Sequence, residues 1–310
     1  MKEKKLFNIG ITSGDPFGIG PEIILKSLNI FKDKNFNFIL YGDLNFFENT
    51  AKKLKIKFPE NLMIENVYKI KKIPLKHPSK EGGRYAYESI INAINDLKKG
   101  KIKALLTLPV SKKGIILNGI DFKGHTEFLA KIFGLKEDDV LMSFISDNLK
   151  VALLTTHIPI KKVHKFIKED YLEKKIRILL EWNKKFFNKV PEIAFLSLNP
   201  HKGENGEEEK IMEKVIKKFD FIKGIYPSDS FFTKDLYKNF DFIFAIYHDQ
   251  GLIPFKILSK GKGCNLTIGL PFLRVSPIHG PAYEISNKNI ADIKSTLFSI
   301  RFISKLMKFF

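Results

Sequence analysis

Three histidines stand where an apolar run ends. "VALLTTH" closes on His157, "IAFLSLNPH" on His201 and "FDFIFAIYH" on His248. Each run reads as a buried strand, which gains nothing from an imidazole at its tip. In open α/β sheets, ligands bind outside the carboxyl ends of the strands. Three imidazoles delivered to that edge have the chemistry to share one metal ion, because neutral imidazole is a common ligand for Zn²⁺ and its neighbours. Three protein ligands would leave a coordination position open for substrate. The plainer alternative is three unrelated histidines that cap loops or bind backbone. No local zinc signature of the HExxH kind is present.

Other stretches carry weaker signals. "GDPFGIGPE" (14–22) is glycine-rich but matches neither GxGxxG nor a Walker A loop. It is either a plain tight turn or a place where backbone N–H groups approach an anion. "KGHTEFLA" (123–130) puts His125 and Thr126 before a helical pattern, as a helix cap or as ligand contacts. "NPHKGENGEEE" (199–209) is turn-rich, yet His201 within it follows a buried-looking strand. Arg274 has the planar fork that binds phosphate or carboxylate, although a lone arginine is more often a solvated surface residue.

The elements that must position these groups follow from periodicity. Strands are expected at 6–12, 35–43, 102–110, 151–157, 193–201 and 240–248. Helices are expected from Pro21 to 31 and over 84–100, 171–187 and 207–219. Their alternation predicts an α/β fold with a mainly parallel sheet. The last segment, 293–310, is amphipathic and reads as a core or subunit-interface helix rather than a membrane-surface one.

Composition narrows the classes. Apolar residues make up 44% of 310, enough for a large core in two lobes. No run reaches the roughly 18 apolar residues of a spanning helix. The N-terminal "MKEKKLFNIGITSGD" lacks the apolar region of a signal peptide, and the single Cys264 excludes an internal disulfide. A cytoplasmic protein with no membrane partner is expected. The net charge of +19 is spread along the chain without a nucleic-acid motif, so no specific nucleic-acid partner is expected. A positive field would still favour an anionic small substrate.

Taken together, "ITSGDPFGIGPEI", "SKEGGRYAYESI", "GHTEFLA", "LLTTHIPI", "LNPHKGENG", "YHDQGLIPFK" and "NLTIGLPFLRVSPIHG" resemble the 4-hydroxythreonine-4-phosphate dehydrogenase family of pyridoxal phosphate biosynthesis. The resemblance implies a two-lobed isocitrate/isopropylmalate dehydrogenase-like fold. By analogy, residues 1–109 plus 251–310 form a discontinuous lobe with the cofactor loop, and 110–250 form a central lobe with dimer contacts. It also implies a homodimer with the active site at the subunit interface. A divalent metal (Zn, Mg or Co) would be held by His157, His201 and His248, the trio already chosen by strand ends. Implied contacts to a phosphorylated amino-acid substrate are His125, Thr126, Lys256, Asn265 and Arg274.

The implied reaction is oxidation of 4-phosphooxy-L-threonine at C3 by NAD or NADP, followed by decarboxylation to 3-amino-2-oxopropyl phosphate. Lys256 qualifies as the base, and Asp249 is placed to orient a ligand imidazole. "SPIHGPAYEISNKNIADI" is similar to the adenosine loop of isopropylmalate dehydrogenases, which puts His279, Gly280, Ile290 and Ala291 near the adenine. Ile278 and Pro281 depart from the family's Asp-His-Gly-Thr-Ala pattern, and Leu108 stands where a small residue is usual. Alternatives are a paralogous 4-phosphothreonate or 4-phosphoerythronate dehydrogenase, and a non-redox phosphate acyltransferase of the same architecture.

Overall fold

In the computed structural model, which describes residues 6–71, 77–204 and 206–309, strands and helices alternate much as the apolar runs predict. β1 (Phe7–Thr12), α1 (Gly20–Ile30), β2 (Phe36–Gly42), α2 (Leu44–Leu54) and β3 (Leu62–Asn66) come first. Next are α3 (Lys80–Lys98), β4 (Ala104–Thr107), α4 (Lys112–Ile116) and α5 (His125–Ile132). Then come β5 (Leu141–Ser146), β6 (Lys150–Leu153), α6 (Glu169–Phe187), β7 (Ile193–Leu196), α7 (Glu207–Ile216) and β8 (Ile222–Tyr226). The order ends with α8 (Ser228–Thr233), β9 (Phe242–Ala245), α9 (His248–Ser259), β10 (Gly263–Ile268), β11 (Leu273–Pro277) and α10 (Lys294–Met307).

The chain groups into two units, Met1–Phe128 with Pro271–Phe310, and Leu129–Leu270. In the first unit the strand order is β3-β2-β1-β4-β11, and every pairing is parallel. Ile9, Ile11, Phe38 and Leu106 are wholly buried within it, which is why these strands read as largely apolar runs. Pro21 sits in the first turn of α1, where its missing N–H costs nothing. α10 packs on β11, α1 and β4 through Ile300, Ile303 and Met307, so its apolar face belongs to this core.

The second unit has the order β10-β5-β6-β9-β7-β8. β6, β9, β7 and β8 are parallel, while β5 pairs antiparallel with both β6 and β10. The sequence reading has no strands at 141–146, 263–268 or 273–277. Glycines, lysines and isolated polar residues break the apolar pattern around the last two. They are strands because their register with neighbours buries Cys264, Leu266, Leu273 and Val275.

The grouping also differs from boundaries at 109 and 250, for two physical reasons. α4 lies against α3 at a backbone-to-backbone contact, which ties 110–128 to the first unit. A Cβ added at Gly83 would overlap the carbonyl of Gly114. β10 hydrogen-bonds along the whole of β5, which ties 263–268 to the second unit. α3 also starts earlier than residue 84, because Ser79 Oγ caps it by accepting from Gly82 N–H at 3.0 Å.

Two glycines in the first turn of a helix weaken it by propensity. Here they admit the neighbouring chain. Gly83→Ala is therefore expected to destabilise the protein by about 1–3 kcal/mol despite its better helix propensity. Urea unfolding measures this, and a stabilised variant would show that the α3–α4 contact yields freely.

Candidate active site

β6, β9 and β7 are consecutive neighbours in the second unit, and each leads to one of the three strand-end histidines. Their ends are tied together by side chains. Thr155 donates its hydroxyl to the Ile246 carbonyl at 2.6 Å, joining the segments after β6 and β9. Gln250 is buried in the first turn of α9. Its Oε1 accepts from Ile246 N–H at 2.7 Å, and its Nε2 donates to the Ser197 carbonyl at 2.7 Å and to Ser228 Oγ at 2.8 Å. Gly251 lets α9 press onto β6 and β9, since an added Cβ would lie 2.7 Å from Val151 and 2.9 Å from Ala245. Thus "HDQG" begins a helix rather than merely ending a strand. Gln250, which the sequence reading passed over, is its structural member; only its place between a buried strand and a glycine could have flagged it.

His157 and His248 lie side by side, with ring centroids 6.0 Å apart. A Zn–N bond is about 2.1 Å and the ring centre lies about 1.1 Å further, so two imidazoles on one ion have centroids no more than roughly 6.4 Å apart. This pair fits a shared cation. His248 Nδ1 is 2.7 Å from Asp249 Oδ1, the contact that fixes a ligand ring's tautomer and leaves Nε2 to face a metal. His201 is exposed, on the turn after β7, and adopts a left-handed backbone with φ +53°. Among the described residues, no three His, Cys, Asp or Glu side chains are grouped closely enough to hold a metal. The structure brings together two of the three predicted ligands.

The His201 turn has its own template. Glu209 is buried, and its Oε1 accepts from Asn199 N–H at 2.8 Å while Oε2 accepts from Asn199 Nδ2 at 2.9 Å. Gly203 and Gly206 close around that carboxylate, where any Cβ would collide with it. The glycines of "NPHKGENGEEE" therefore serve a buried glutamate. Of the other expected residues in this unit, Lys256 is exposed on α9. Asn265 on β10 has a buried Oδ1 with no hydrogen-bond partner among the described residues, an acceptor left for a ligand donor.

In the first unit, a pocket of about 160 Å³ is lined by Thr107, Lys112, His125, Ser276 and His279 together with apolar residues. His125 begins α5, and its Nε2 is buried without a partner among the described residues. Burial, then the nearby Arg274 and Lys112 cations, holds its pKa well below the usual imidazole range. Arg274 is itself buried on β11, and its Nε and Nη2 donate to Thr107 Oγ1 at 3.0 and 2.7 Å. Thr126 is buried beside His125. Lys112 in the lining and Arg274 near His125 are cations of the kind that suit an anionic group. Lys112, a member missed from sequence, sits in a lysine-rich stretch that gives no cue.

The segment expected at the adenine end also lies in this unit. His279 is half-buried, with its pKa lowered by burial, and its Nε2 has no partner among the described residues. A Cβ on Gly280 would meet nothing within 4 Å, and Ile290 is 64% exposed, so both offer open surface. Ala291 is buried and donates its N–H to Glu22. Leu108 is fully buried against Gly14, which accounts for it as a packing residue.

His125 makes the protein acid-sensitive. In the unfolded chain it takes a proton near its ordinary pKa of about 6.5, whereas in the fold it stays neutral to a lower pH. Protonation below that value therefore favours the unfolded state, and stability falls as pH drops from about 7.5 to 5.5. His125→Gln should flatten this dependence, as read by thermal unfolding at the two pH values. Equal slopes for both proteins would discard the assignment.

The family model "Pyridoxal phosphate biosynthetic protein PdxA" matches residues 22–303. The 4-hydroxythreonine-4-phosphate dehydrogenases of Sulfurihydrogenibium sp. and Aquifex aeolicus are 40% and 41% identical, over 94% and 96% of this chain and 96% and 98% of their own. A candidate D-threonate 4-phosphate dehydrogenase of Oceanobacillus iheyensis is 36% identical over 94% of this chain and of its own. The crystal structure of the 4-hydroxythreonine-4-phosphate dehydrogenase from Klebsiella pneumoniae superposes with a TM-score of 0.80 at 28% identity, covering 98% of this chain and 99% of that one. An isocitrate dehydrogenase from Methylococcus capsulatus shares the fold alone, with a TM-score of 0.50 at 12% identity over 97% and 86% of the two chains. Among the described residues, no helix is long and apolar enough to cross a membrane. With its family model covering nearly the whole chain and its relatives matched end to end, this chain belongs to the PdxA family.

Proposed function

We propose that this protein oxidises 4-phosphooxy-L-threonine at C3 with NAD⁺ or NADP⁺ and that the product then loses CO₂ to give 3-amino-2-oxopropyl phosphate. The observation that carries the reading is the His157–His248 pair on adjacent strand ends, within a family whose members are named for this dehydrogenase. His157 and His248 would hold a divalent cation, with His201 on the next strand end as the third ligand. When bound, such an ion supplies Lewis acidity toward the substrate's secondary alcohol.

The chain's own groups do the rest. Asp249 holds the His248 tautomer. Asn265 Oδ1 accepts a hydrogen bond from a substrate N–H or O–H donor. Lys112 and Arg274 balance an anionic end of the substrate, and neutral His125 hydrogen-bonds it without adding charge repulsion to theirs. Thr126 completes that end. Lys256, exposed on α9, is the candidate for the proton released from the C3 hydroxyl. Hydride passes from C3 to the nicotinamide, and the resulting β-keto acid loses CO₂ because the ketone accepts the electrons of the breaking bond. The assembly is a homodimer whose second subunit completes the site.

A second reading keeps the same machinery with a substrate that lacks the amino group, as the Oceanobacillus relative's description indicates. Assay of the purified protein with each dinucleotide against 4-phosphooxy-L-threonine and 4-phospho-D-threonate separates the two. Higher kcat/KM for the amino acid is expected, and preference for the threonate would reassign the substrate.

His248→Ala should lose its bound divalent ion and at least about 1000-fold in kcat/KM. Asp249→Asn should keep the ring but weaken metal retention roughly 10–100-fold. Elemental analysis after dialysis reads both, and full metal content in His248→Ala would remove the proposed centre.

A further inference from the structure

The segment from Ile278 to Ala291 is fastened at several points to the turn and helix that follow β1. Ile19 donates its N–H to the Pro281 carbonyl at 2.8 Å, over a Gly18 whose missing Cβ makes room for Pro281. Ala291 donates its N–H to Glu22 Oε1 at 3.0 Å, and Lys26 Nζ reaches both Glu22 Oε1 at 2.6 Å and the Asn289 carbonyl at 3.2 Å. On the segment's side these contacts use backbone atoms, which many sequences could supply. One fastening depends on side-chain identity: the Tyr283 hydroxyl donates to Asp15 Oδ2 at 2.6 Å.

Asp15 is a rigid acceptor. It is 1% exposed, its Oδ1 accepts from Phe17 N–H at 3.0 Å, and Gly82 of α3 lies against it. The segment it holds is strained: Ala282, next to Tyr283, has φ +47°, and Asn287 and Asn289 each have φ +60°. A left-handed alanine persists only where its surroundings impose it. Burial raises the pKa of the Tyr283 hydroxyl, which keeps it a donor. The positions this segment leaves uncovered include Gly280 and Ile290.

We infer that Tyr283 is a positioning residue whose bond to Asp15 preorganises the 278–291 segment for the adenosine end of the nicotinamide dinucleotide. The inference rests on the dehydrogenase reading above. A segment ordered in advance loses less conformational freedom when its ligand arrives, and affinity rises by that margin. The hydrogen bond is to a buried carboxylate, the strong kind, so its loss should be felt in cofactor binding rather than in the chemical step.

The test uses the whole purified protein. Calorimetry gives the affinity for NAD⁺ and NADP⁺, steady-state assays separate KM from kcat, and amide hydrogen exchange reports on 278–291. For Tyr283→Phe we expect about tenfold weaker binding of the preferred dinucleotide, a similar rise in its KM and kcat within about twofold. Exchange should quicken in 278–291 and stay unchanged in β1 and β4. Asp15→Asn keeps an acceptor and should fall nearer the wild type than Asp15→Ala. Wild-type affinity in Tyr283→Phe overturns the inference alone, as does a general loss of protection with cofactor affinity intact. If the wild-type protein binds neither dinucleotide, the inference and the reading beneath it both fail.

Discussion

The candidate metal edge depends on how the ends of parallel strands are satisfied. Beyond its last ladder bond, a strand presents backbone donors and acceptors that must find partners if buried. In β9 that role falls to Gln250, which accepts from the strand's own continuation at Ile246 and donates to the segment after β7 at Ser197. Thr155 links the segment after β6 to the same Ile246. Two side chains thus hold three strand ends in fixed relation, and His157, His201 and His248 inherit that relation. An apolar residue at 250 would leave Ile246 N–H and Ser197 C=O buried without partners, a penalty of about 1–3 kcal/mol each.

Rigid strand ends do not by themselves aim a side chain. His157 and His201 both have left-handed backbones, at φ +43° and +53°, so each turns away from the path its strand would otherwise continue. Such conformations are uncommon for residues other than glycine and gather where a site requires them. At His201 the cause is visible: Glu209 draws Asn199, Gly203 and Gly206 around its carboxylate, and the turn that results projects residue 201 outward. The 6.0 Å His157–His248 spacing already suits one cation. His201 is exposed on a turn whose backbone its neighbours fix, and it is not grouped with the other two rings among the described residues.

What could be read from the sequence follows physical lines. Strands such as β1 and β9 announce themselves because burial on both faces demands a mostly apolar run. The three histidines stood out for the complementary reason, as polar residues where burial stops. β10 and β11 were invisible, since Asn265 and Arg274 on them break the apolar pattern, and those two are themselves candidate ligand contacts. The α3–α4 contact was equally hidden, because a glycine pair in a helical pattern looks like a defect until Gly114 is seen against it. Gln250 and Glu209 escape notice because a buried polar residue in the first turn of a helix resembles an exposed one in sequence.

The charge of the chain acquires a narrower meaning beside the His125 pocket. A net charge of +19 sets only a diffuse field, which salt screens over about 10 Å. Arg274 differs from the surface lysines because it is buried, 3% exposed, and anchored on Thr107. Desolvating a guanidinium is costly unless opposite charge or hydrogen bonds compensate it. His125 nearby is kept neutral first by its own burial and then by the Arg274 and Lys112 cations. Protonating that ring would add a third charge beside Arg274 and Lys112 and strengthen the pull on any anion. It would also raise the cost of burying the site, so the ring keeps its neutral form to a lower pH than a free imidazole.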